Sequence, residues 1–271
     1  MSVFSQTSRK IGNHNAAGSR GYAVLQSPLV ARLVVIAAFI AFWEIGARYY
    51  NDPDFLATPS QTAIAVVDLL QNANIWTAIG YMVVALVAGF ALALVAGAGI
   101  GMLVGINRTT YLTFFPIIVL LYAIPQVTLL PLFVLTFGIG IKVKIIYGFT
   151  HGFFPIIVCV IAGTQNINPV LLTAAKSMGA TRLQIYRRIV FPFIVPSLFT
   201  GMRLGMSAVL IGVILAELYA SQKGIGYYTR HYSDTFEPQN LFALVLLISV
   251  TGITLNEMLR RVETYYSRWR G

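Results

Sequence analysis

The sequence feature that most limits the fold is a series of long apolar blocks. The stretch from Trp76 to Ile106 carries no charged side chain. It is long enough to cross a bilayer as a helix, which takes about 20 apolar residues. Hydrophobic residues make up 57% of the chain and charged residues 10%, against about 25% charged residues in an average soluble protein. A soluble domain cannot hide that much apolar surface, so the chain is predicted to be an all-α polytopic membrane protein.

Six apolar blocks are expected to form six transmembrane helices. They lie at about residues 29–47, 76–106, 111–137, 145–162, 193–218 and 241–258. The third block contains Pro116, Pro125 and Pro131, which predict a kinked or broken helix. After the first block, Ser60 is expected to cap a short helix over 61–72 that lies at the outer surface. In the second block, glycines lie four or eight residues apart and should let another helix approach closely. They are Gly89, Gly97, Gly101 and Gly105.

A polar and basic insert, residues 168–192, separates the fourth and fifth blocks. Its first residue is an asparagine, which can cap a helix, and Pro169 suits the first helical position. Gly179 is placed to end that helix in the left-handed conformation. Thr181 and Gln184 have capping-box spacing for a second helix. The insert is predicted to form two short helices joined at a glycine. Their apolar stripes are Leu171, Ala174, Ala175 and Met178 in the first helix, and Leu183, Tyr186 and Ile189 in the second.

The placement of Lys and Arg predicts the orientation. If the amino terminus is cytoplasmic and six helices alternate, most of the 19 basic residues fall on the cytoplasmic side, including those of residues 168–192. The residues that fall outside are Arg48, Lys142, Lys144, Lys223 and Arg230, and Arg203 is left within the membrane. The expected organisation is a disordered cytoplasmic tail over 1–28, a membrane domain over 29–259 and a basic cytoplasmic tail over 260–271.

The 168–192 insert resembles the loop that marks permease subunits of ABC importers. That pattern reads Glu-Ala-Ala, three residues, Gly, nine residues, Ile, one residue, Leu-Pro. It is matched here by Thr173-Ala174-Ala175, Gly179, Ile189 and Phe191-Pro192. Thr173 stands in place of the acidic residue, and Phe191 in place of the leucine. From about Pro59 to Arg261 the chain is similar to permeases of nitrate, sulfonate, taurine and thiamine-precursor importers, through the segments FLATPSQT, LPLFVLTFGIG and TGMRLGMSAVLIGVILAELYASQKGIGYY.

This resemblance implies a type I importer permease fold of six transmembrane helices with a cytoplasmic two-helix coupling loop. The implied partners are a second permease, expected to be an identical copy, two cytoplasmic ATPase subunits and a periplasmic or lipoprotein binding protein. The residues expected to couple to the ATPase are Thr173, Ala174, Ala175, Lys176, Met178, Gly179, Arg182, Ile189 and Pro192. The implied location is the bacterial inner membrane, with both termini cytoplasmic.

The resemblance also implies a transport subunit that is not itself an enzyme. The chain contains no Gly-x4-Gly-Lys-Ser/Thr phosphate loop. It is therefore expected to bind no cofactor, and ATP and Mg²⁺ are expected on the partner ATPase. The resembled family carries small anionic or heterocyclic solutes, but the sequence does not reveal which solute this chain carries.

Four polar residues within the apolar blocks are candidates for the translocation pathway: Gln126, Thr128, His151 and Arg203. A charge in the membrane is expensive and suggests a functional site, so Arg203 could face an anionic solute. The alternative, which we favour, is a contact at a gate or subunit interface. His151 could instead bond a neighbouring carbonyl. Gln126 and Thr128, which flank Pro125, could equally satisfy the carbonyls of a broken helix.

Other classes of function fit the sequence less well. An ion-driven secondary transporter or channel is the main alternative, and it would need inverted repeats or paired intramembrane carboxylates, which are not evident. A membrane enzyme would need clustered His, Asp or Glu, whereas His14, His151 and His231 lie far apart. The net charge of +10 does not indicate nucleic-acid binding, because the basic residues gather at the ends of apolar blocks. With Cys159 as its only cysteine, the chain forms no internal disulfide.

Overall fold

The computed structural model describes residues 28–50, 52 and 55–267, with side chains described through Tyr265. The tail predicted over 1–28 lies outside the described residues, except for Pro28, which begins a helix. The internal contacts divide the chain into two units, residues 1–61 and 62–271. Among the described residues, all regular secondary structure is helical.

The first unit contains helix α1, Pro28–Tyr50, and the first turn of helix α2, Pro59–Gln71. Ser60 was predicted to cap α2, and this prediction is wrong. The Gln61 amide donates to the Thr58 hydroxyl at 3.2 Å, and the Gln61 side chain accepts from the Thr58 amide at 3.0 Å. Thr58 therefore caps α2 through a capping box, and the proline after it occupies the first helical position. Ser60 instead donates its hydroxyl to Glu44 at 2.9 Å.

The second unit contains most of the helical structure. After α2 the helices are α3 (Ala73–Ile106), α4 (Arg108–Tyr122), a 3₁₀ turn (Gln126–Leu129), α5 (Leu130–Phe137), α6 (Ile141–Gln165), α7 (Pro169–Ser177), α8 (Arg182–Ile185), a π-helical turn (Tyr186–Val190), α9 (Phe191–Ala220), α10 (Ile225–Asp234) and α11 (Pro238–Ser267). Within the predicted basic tail, residues 260–267 continue α11 as helix, and the last four residues lie outside the described residues.

Five of the described helical segments are long and apolar enough to cross a membrane, and a sixth span is formed if a bent pair counts as one. That pair is Arg108–Tyr122 with Gln126–Phe137, bent by 77°. The six predicted spans are confirmed in this sense, and so is the predicted break in the third block. The bend falls at Pro125, whose ring removes a backbone donor, so a helix cannot continue through it without losing a hydrogen bond.

The centre of the second unit is a bundle of α3, α6 and α9. The expected close approach at the α3 glycines is confirmed, because α6 packs directly against them. A Cβ atom added at Gly97 would lie 2.9 Å from Ile156, and one added at Gly101 would lie 2.9 Å from Val160. These distances are shorter than carbon contacts in packed proteins, so only glycine allows α3 and α6 to lie this close. Helices α6 and α9 also pack side by side. The two ends of this helix pair carry very different polar groups.

Candidate coupling surface and membrane-embedded polar groups

Helix α7 begins and ends as its sequence predicts. The Asn168 side chain accepts a hydrogen bond from the Val170 amide at 2.9 Å, and Pro169 is the first helical residue. At the other end, the Ala180 amide donates to the Ala175 carbonyl at 3.0 Å, and the Gly179 amide donates to the Lys176 carbonyl at 3.0 Å. These two bonds form a Schellman motif.

Gly179 supplies the backbone conformation that this ending requires. Its φ is +77°, in the left-handed region, and no atom of any residue other than its chain neighbours lies within 4 Å of the position that a Cβ would occupy. The requirement for glycine is thus conformational rather than steric. A side chain in this region costs roughly 1–2 kcal/mol through its contact with the following carbonyl.

The segment after Gly179 differs from the predicted second short helix. Thr181 and Gln184 do form a reciprocal capping box at the start of α8. The helix then continues through the π-helical turn Tyr186–Val190 into α9, so 182–220 is one uninterrupted helical segment. Pro192 lies directly after the π-helical turn and causes no break in this segment. The second half of the loop is therefore the first part of a membrane-spanning helix.

The helix faces also differ from the predicted stripes. Leu172, Ala175 and Ile189 pack against the hydrophobic core of the protein, whereas Ala174 is exposed. Leu183, predicted to join the apolar stripe of the second helix, is exposed, and Ile185 is buried instead. Tyr186 and Ile189 are half-buried as the predicted stripe requires, so within that stripe only Leu183 was assigned to the wrong face. Of the two alanines predicted to meet the ATPase, Ala174 is exposed and Ala175 is half-buried against the core.

The exposed face of this region, which we call the coupling surface, comprises Val170, Thr173, Ala174, Lys176, Met178, Gly179, Arg182, Leu183, Arg187 and Arg188. Thr173 donates its hydroxyl to the Pro169 carbonyl at 3.0 Å, so its polar group is already used within α7. Met178 is 86% exposed and Leu183 is 77% exposed. Residues 168–192 contain four cations and no carboxylate. This face combines positive charge with uncovered apolar side chains.

Gln126 and Thr128 lie at the break between α4 and α5. The Thr128 hydroxyl donates to the Pro125 carbonyl at 2.7 Å, and that carbonyl also accepts from the Thr128 amide at 3.1 Å. The Gln126 amide nitrogen lies 3.4 Å from the Thr150 carbonyl, and the Gln126 carbonyl accepts from the Tyr147 hydroxyl at 3.1 Å. The Thr128 hydroxyl therefore bonds within the broken segment, whereas the Gln126 side chain bonds a carbonyl of α6. The Gln126 side-chain oxygen is buried without a hydrogen-bond partner among the described residues.

His151 lies on α6 close to the same break. Its Nδ1 lies 3.0 Å from the Tyr147 carbonyl oxygen, and its ring packs edge-on against the Tyr147 ring. The expected alternative, a bond to a neighbouring carbonyl, is what the structure contains. On the other side of the ring, Gly212 of α9 leaves no room for a Cβ, which would lie 2.8 Å from the imidazole. The imidazole is therefore wedged between α6 and α9.

Arg203 is separate from this group. It faces α11, where its guanidinium lies 3.3 Å from the Glu263 carboxylate. Glu263 lies beyond the last apolar block, so Arg203 is paired with a group near the carboxyl-terminal end of α11. Along α9, Arg203 lies about 13 Å from Gly212, the residue that contacts His151. The structure thus groups Gln126 with His151 and places Arg203 elsewhere, and sequence analysis gave no sign of its pairing with Glu263.

The most deeply buried charges lie at the opposite end of α6 and α9 from the coupling surface. Lys144 and Glu217, with side chains 2% and 0% exposed, form an ion pair at 3.0 Å. Lys144 also donates to the Lys223 carbonyl, and Glu217 accepts from the Gly226 amide at 2.9 Å. Gly226 lies in the first turn of α10, so Glu217 caps that helix from α9. We call this group the Lys144–Glu217 cluster.

The pairing of Lys144 with Glu217 was not predicted from the sequence. Lys144 was assigned only to an outer turn. The sequence signal that could have indicated the pair is that both charges border apolar blocks on the same predicted side of the membrane.

A second titratable group lies on α10. Burial raises the pKa of the Tyr232 phenol, and the charges of Glu237 and Tyr228 raise it further. The described residues include no group of three or more His, Cys, Asp or Glu side chains placed to hold a metal ion.

Comparisons with known proteins agree with this architecture. Residues 93–269 match the family described as binding-protein-dependent transport system inner membrane component. The chain is 28% identical over 251 residues to the formylaminopyrimidine transport permease protein ThiX of Halalkalibacterium halodurans, covering 93% of this chain and 98% of the relative. It is 26% identical to the taurine transport system permease protein TauC of Escherichia coli, covering 85% of this chain and 86% of the relative.

A solved structure shares the fold. A chain of the inward-facing MetNI methionine ABC transporter superposes with a TM-score of 0.56 at 21% sequence identity. The match covers 72% of this chain and 96% of the other chain. At this identity the likeness establishes the fold alone, and it agrees with the predicted type I importer permease fold.

Proposed function

The chain belongs to the family of binding-protein-dependent transport system inner membrane components, the permease subunits of ABC importers, and we propose that it takes its driving force from an ATPase bound at the coupling surface. Membership supports the importer interpretation over the ion-gradient alternative. The observation that carries the proposal is the Schellman turn at Gly179, which joins an exposed short helix to the start of a membrane-spanning helix.

The proposed mechanism follows from that connection. Helix α7 rests on the core through Leu172 and Ala175, and the segment 182–220 crosses the membrane without interruption. A partner that moves α7 therefore also moves the amino-terminal end of the segment 182–220. ATP and Mg²⁺ are bound and ATP is hydrolysed on the partner ATPase. Closure of two ATPase subunits draws two coupling surfaces together and opens the pathway toward the binding protein.

The orientation proposed is that both termini and the coupling surface face the cytoplasm of a bacterial cell. The excess of Lys and Arg on that side supports it. Single cysteines at positions 182 and 230, in a Cys159→Ser background, test it by labelling with a membrane-impermeant reagent. Position 230 should react from outside in intact cells, and position 182 only after the membrane is opened. Labelling of position 182 in intact cells would contradict the orientation.

The solute proposed is small and anionic or heterocyclic. The support is that relatives are named for formylaminopyrimidine, taurine and, for SsuC of Bacillus subtilis at 25% identity, aliphatic sulfonates. An outer binding protein delivers it, and two copies of this chain form the pathway. Gln126, Thr128 and His151 border that pathway near the bent pair, and Arg203 acts at a gate or subunit interface. Arg203→Gln should then uncouple ATP hydrolysis from transport. A raised solute requirement with normal coupling would indicate solute contact instead.

The decisive experiment replaces Gly179 and uses a matched control. Gly179→Val should leave the permease inserted but reduce its association with the purified ATPase subunit of the same importer and abolish transport, because a β-branched residue disfavours the left-handed turn. The control is Gly138→Val. Gly138 has a φ of +73° and, like Gly179, has only its chain neighbours within 4 Å of a Cβ position, but it lies just before the other end of α6. It should retain ATPase association. Normal transport by Gly179→Val would refute the proposed role of the loop.

A further inference from the structure

The coupling surface gathers several cations without counter-charges in one short segment of the chain. Among the described residues, Lys176, Arg182, Arg187 and Arg188 have no carboxylate within ion-pair distance. Elsewhere among the described residues, the paired cations are Arg48, Lys144, Arg203, Arg230, Arg260 and Arg261, and the cations without a carboxylate partner lie far apart or singly in the sequence: Arg32, Arg108, Lys142 and Lys223. Four unpaired positive charges within a short segment form a surface that attracts an anionic partner.

The apolar side chains on the same face indicate what kind of anionic partner fits. Met178 and Leu183 are exposed on either side of the Gly179 turn, and Lys176 and Arg182 lie beside them in sequence. Helix α6 ends at Gln165, and the long apolar part of the segment 182–220 begins at Phe191, so this turn lies outside the apolar parts of both spans. Phospholipid headgroups offer negative charge at that level but no apolar pocket. A protein groove offers both.

Thr173 adds a third observation. The coupling surface has no carboxylate of its own, and the Thr173 hydroxyl is bonded back to the Pro169 carbonyl. A cationic groove on the partner would therefore find no opposite charge and would meet four like charges. The charge complementarity between the two subunits must be carried by carboxylates on the ATPase.

We propose that the ATPase groove receiving α7 has an apolar floor that takes Met178 and Leu183 and a rim of Asp and Glu side chains that meets Lys176 and Arg182. This inference rests on the proposed coupling function and specifies the chemistry of its partner. Charges on the rim of an interface steer association and make it sensitive to salt. Exposed charges are screened beyond about 8 Å at physiological ionic strength, so the attraction should weaken as salt is raised.

The test measures binding of the purified ATPase subunit of the same importer to the permease in nanodiscs over a range of NaCl concentrations. The double variant Lys176→Glu/Arg182→Glu should raise Kd by roughly tenfold or more at low salt and flatten the salt dependence. The matched control is Arg108→Glu. It reverses an exposed cation on the same predicted side of the membrane, outside the coupling surface, and it should leave Kd within about twofold.

The lipid alternative is examined with the same proteins in nanodiscs of phosphatidylcholine alone and with added phosphatidylglycerol. If the cations serve the membrane, the double variant changes the affinity for phosphatidylglycerol and leaves ATPase binding unchanged, which overturns the inference. An equal loss of binding in the Arg108→Glu control also overturns it, because the effect would then be one of general charge.

The two proposals fail in distinguishable ways. If Gly179→Val loses the ATPase but the charge reversals leave Kd and its salt dependence unchanged, the acidic groove is wrong and the coupling function stands. If Gly179→Val also binds normally, the coupling function itself is wrong. If the double variant binds the ATPase more weakly at low salt and Arg108→Glu binds it normally, the result supports the acidic groove.

Discussion

The two ends of the α6 and α9 pair use charge in opposite ways. At one end, Lys144 and Glu217 are buried and satisfy each other and the loop backbone. At the other end, the cations of the coupling surface are exposed and lack carboxylate partners among the described residues. A buried pair loses hydration on both ions and fixes the groups around it, whereas exposed cations keep their hydration until a partner arrives. The first arrangement holds helices together, and the second prepares a surface for binding.

The Lys144–Glu217 cluster joins three helices through side chain and backbone together. Lys144 comes from the first turn of α6, Glu217 from the last turn of α9, and the Gly226 amide from the first turn of α10. A Cβ at Gly224 or Gly226 would collide with the Glu217 side chain. The segment between α9 and α10 therefore packs closely around the Glu217 carboxylate. Substitutions in the Lys144–Glu217 cluster should lower the free energy of unfolding more than substitutions at the coupling surface.

The largest effect is expected from Glu217→Ala. It leaves the Lys144 ammonium buried without its counter-ion and removes the cap of α10, so the free energy of unfolding should fall by about 3–5 kcal/mol. Denaturant unfolding of the purified permease in detergent measures this loss. The double variant Lys144→Met/Glu217→Leu removes both charges and should recover most of the stability. A loss for the double variant equal to or greater than that of Glu217→Ala would contradict the pairing.

A smaller effect, confined to the coupling end, is expected from the two adjacent alanines. Ala175→Trp forces a large side chain against the core and should lower the stability of the permease itself by about 1–3 kcal/mol. Ala174→Trp places the same side chain on the exposed face, so it should leave stability unchanged and weaken ATPase binding. The pair is compared by thermal unfolding of the permease alone and by ATPase binding. Equal thermal stability of the two variants would show that Ala175 does not face the core.

The smallest effect is expected at the amino-terminal cap of α7. Asn168→Ala removes one side-chain bond to the Val170 amide and should cost about 1 kcal/mol, limited to the first turn. Hydrogen exchange at Val170 and Leu171 should become faster, while exchange in α6 and α9 stays unchanged. Asn168→Asp keeps the acceptor and serves as the control. Faster exchange throughout α9 after Asn168→Ala would show that the coupling helix is not a local unit.

The sequence by itself determined the features that depend on nearby residues. The apolar blocks were sufficient to predict six spans, with a break among the prolines of the third block, which the structure places at Pro125. The caps of α7 and α8 and the left-handed Gly179 were also predictable, because their hydrogen bonds join residues only a few positions apart. Where a local prediction was wrong, as for Ser60, the competing signal was also local: Thr58 precedes a proline and lies three residues before Gln61.

Only the tertiary structure decided which side chains face inward and which distant charges meet. Lys144 and Glu217 are brought together because α6 and α9 pack side by side, and Arg203 finds Glu263 because α11 lies against α9. Ala174 and Ala175 are alike in sequence and opposite in exposure, because the rotation of α7 about its axis is set by what Leu172 packs against. Relative rotation and register of helices arise from the sum of many contacts along their length, and no short stretch of sequence contains that sum.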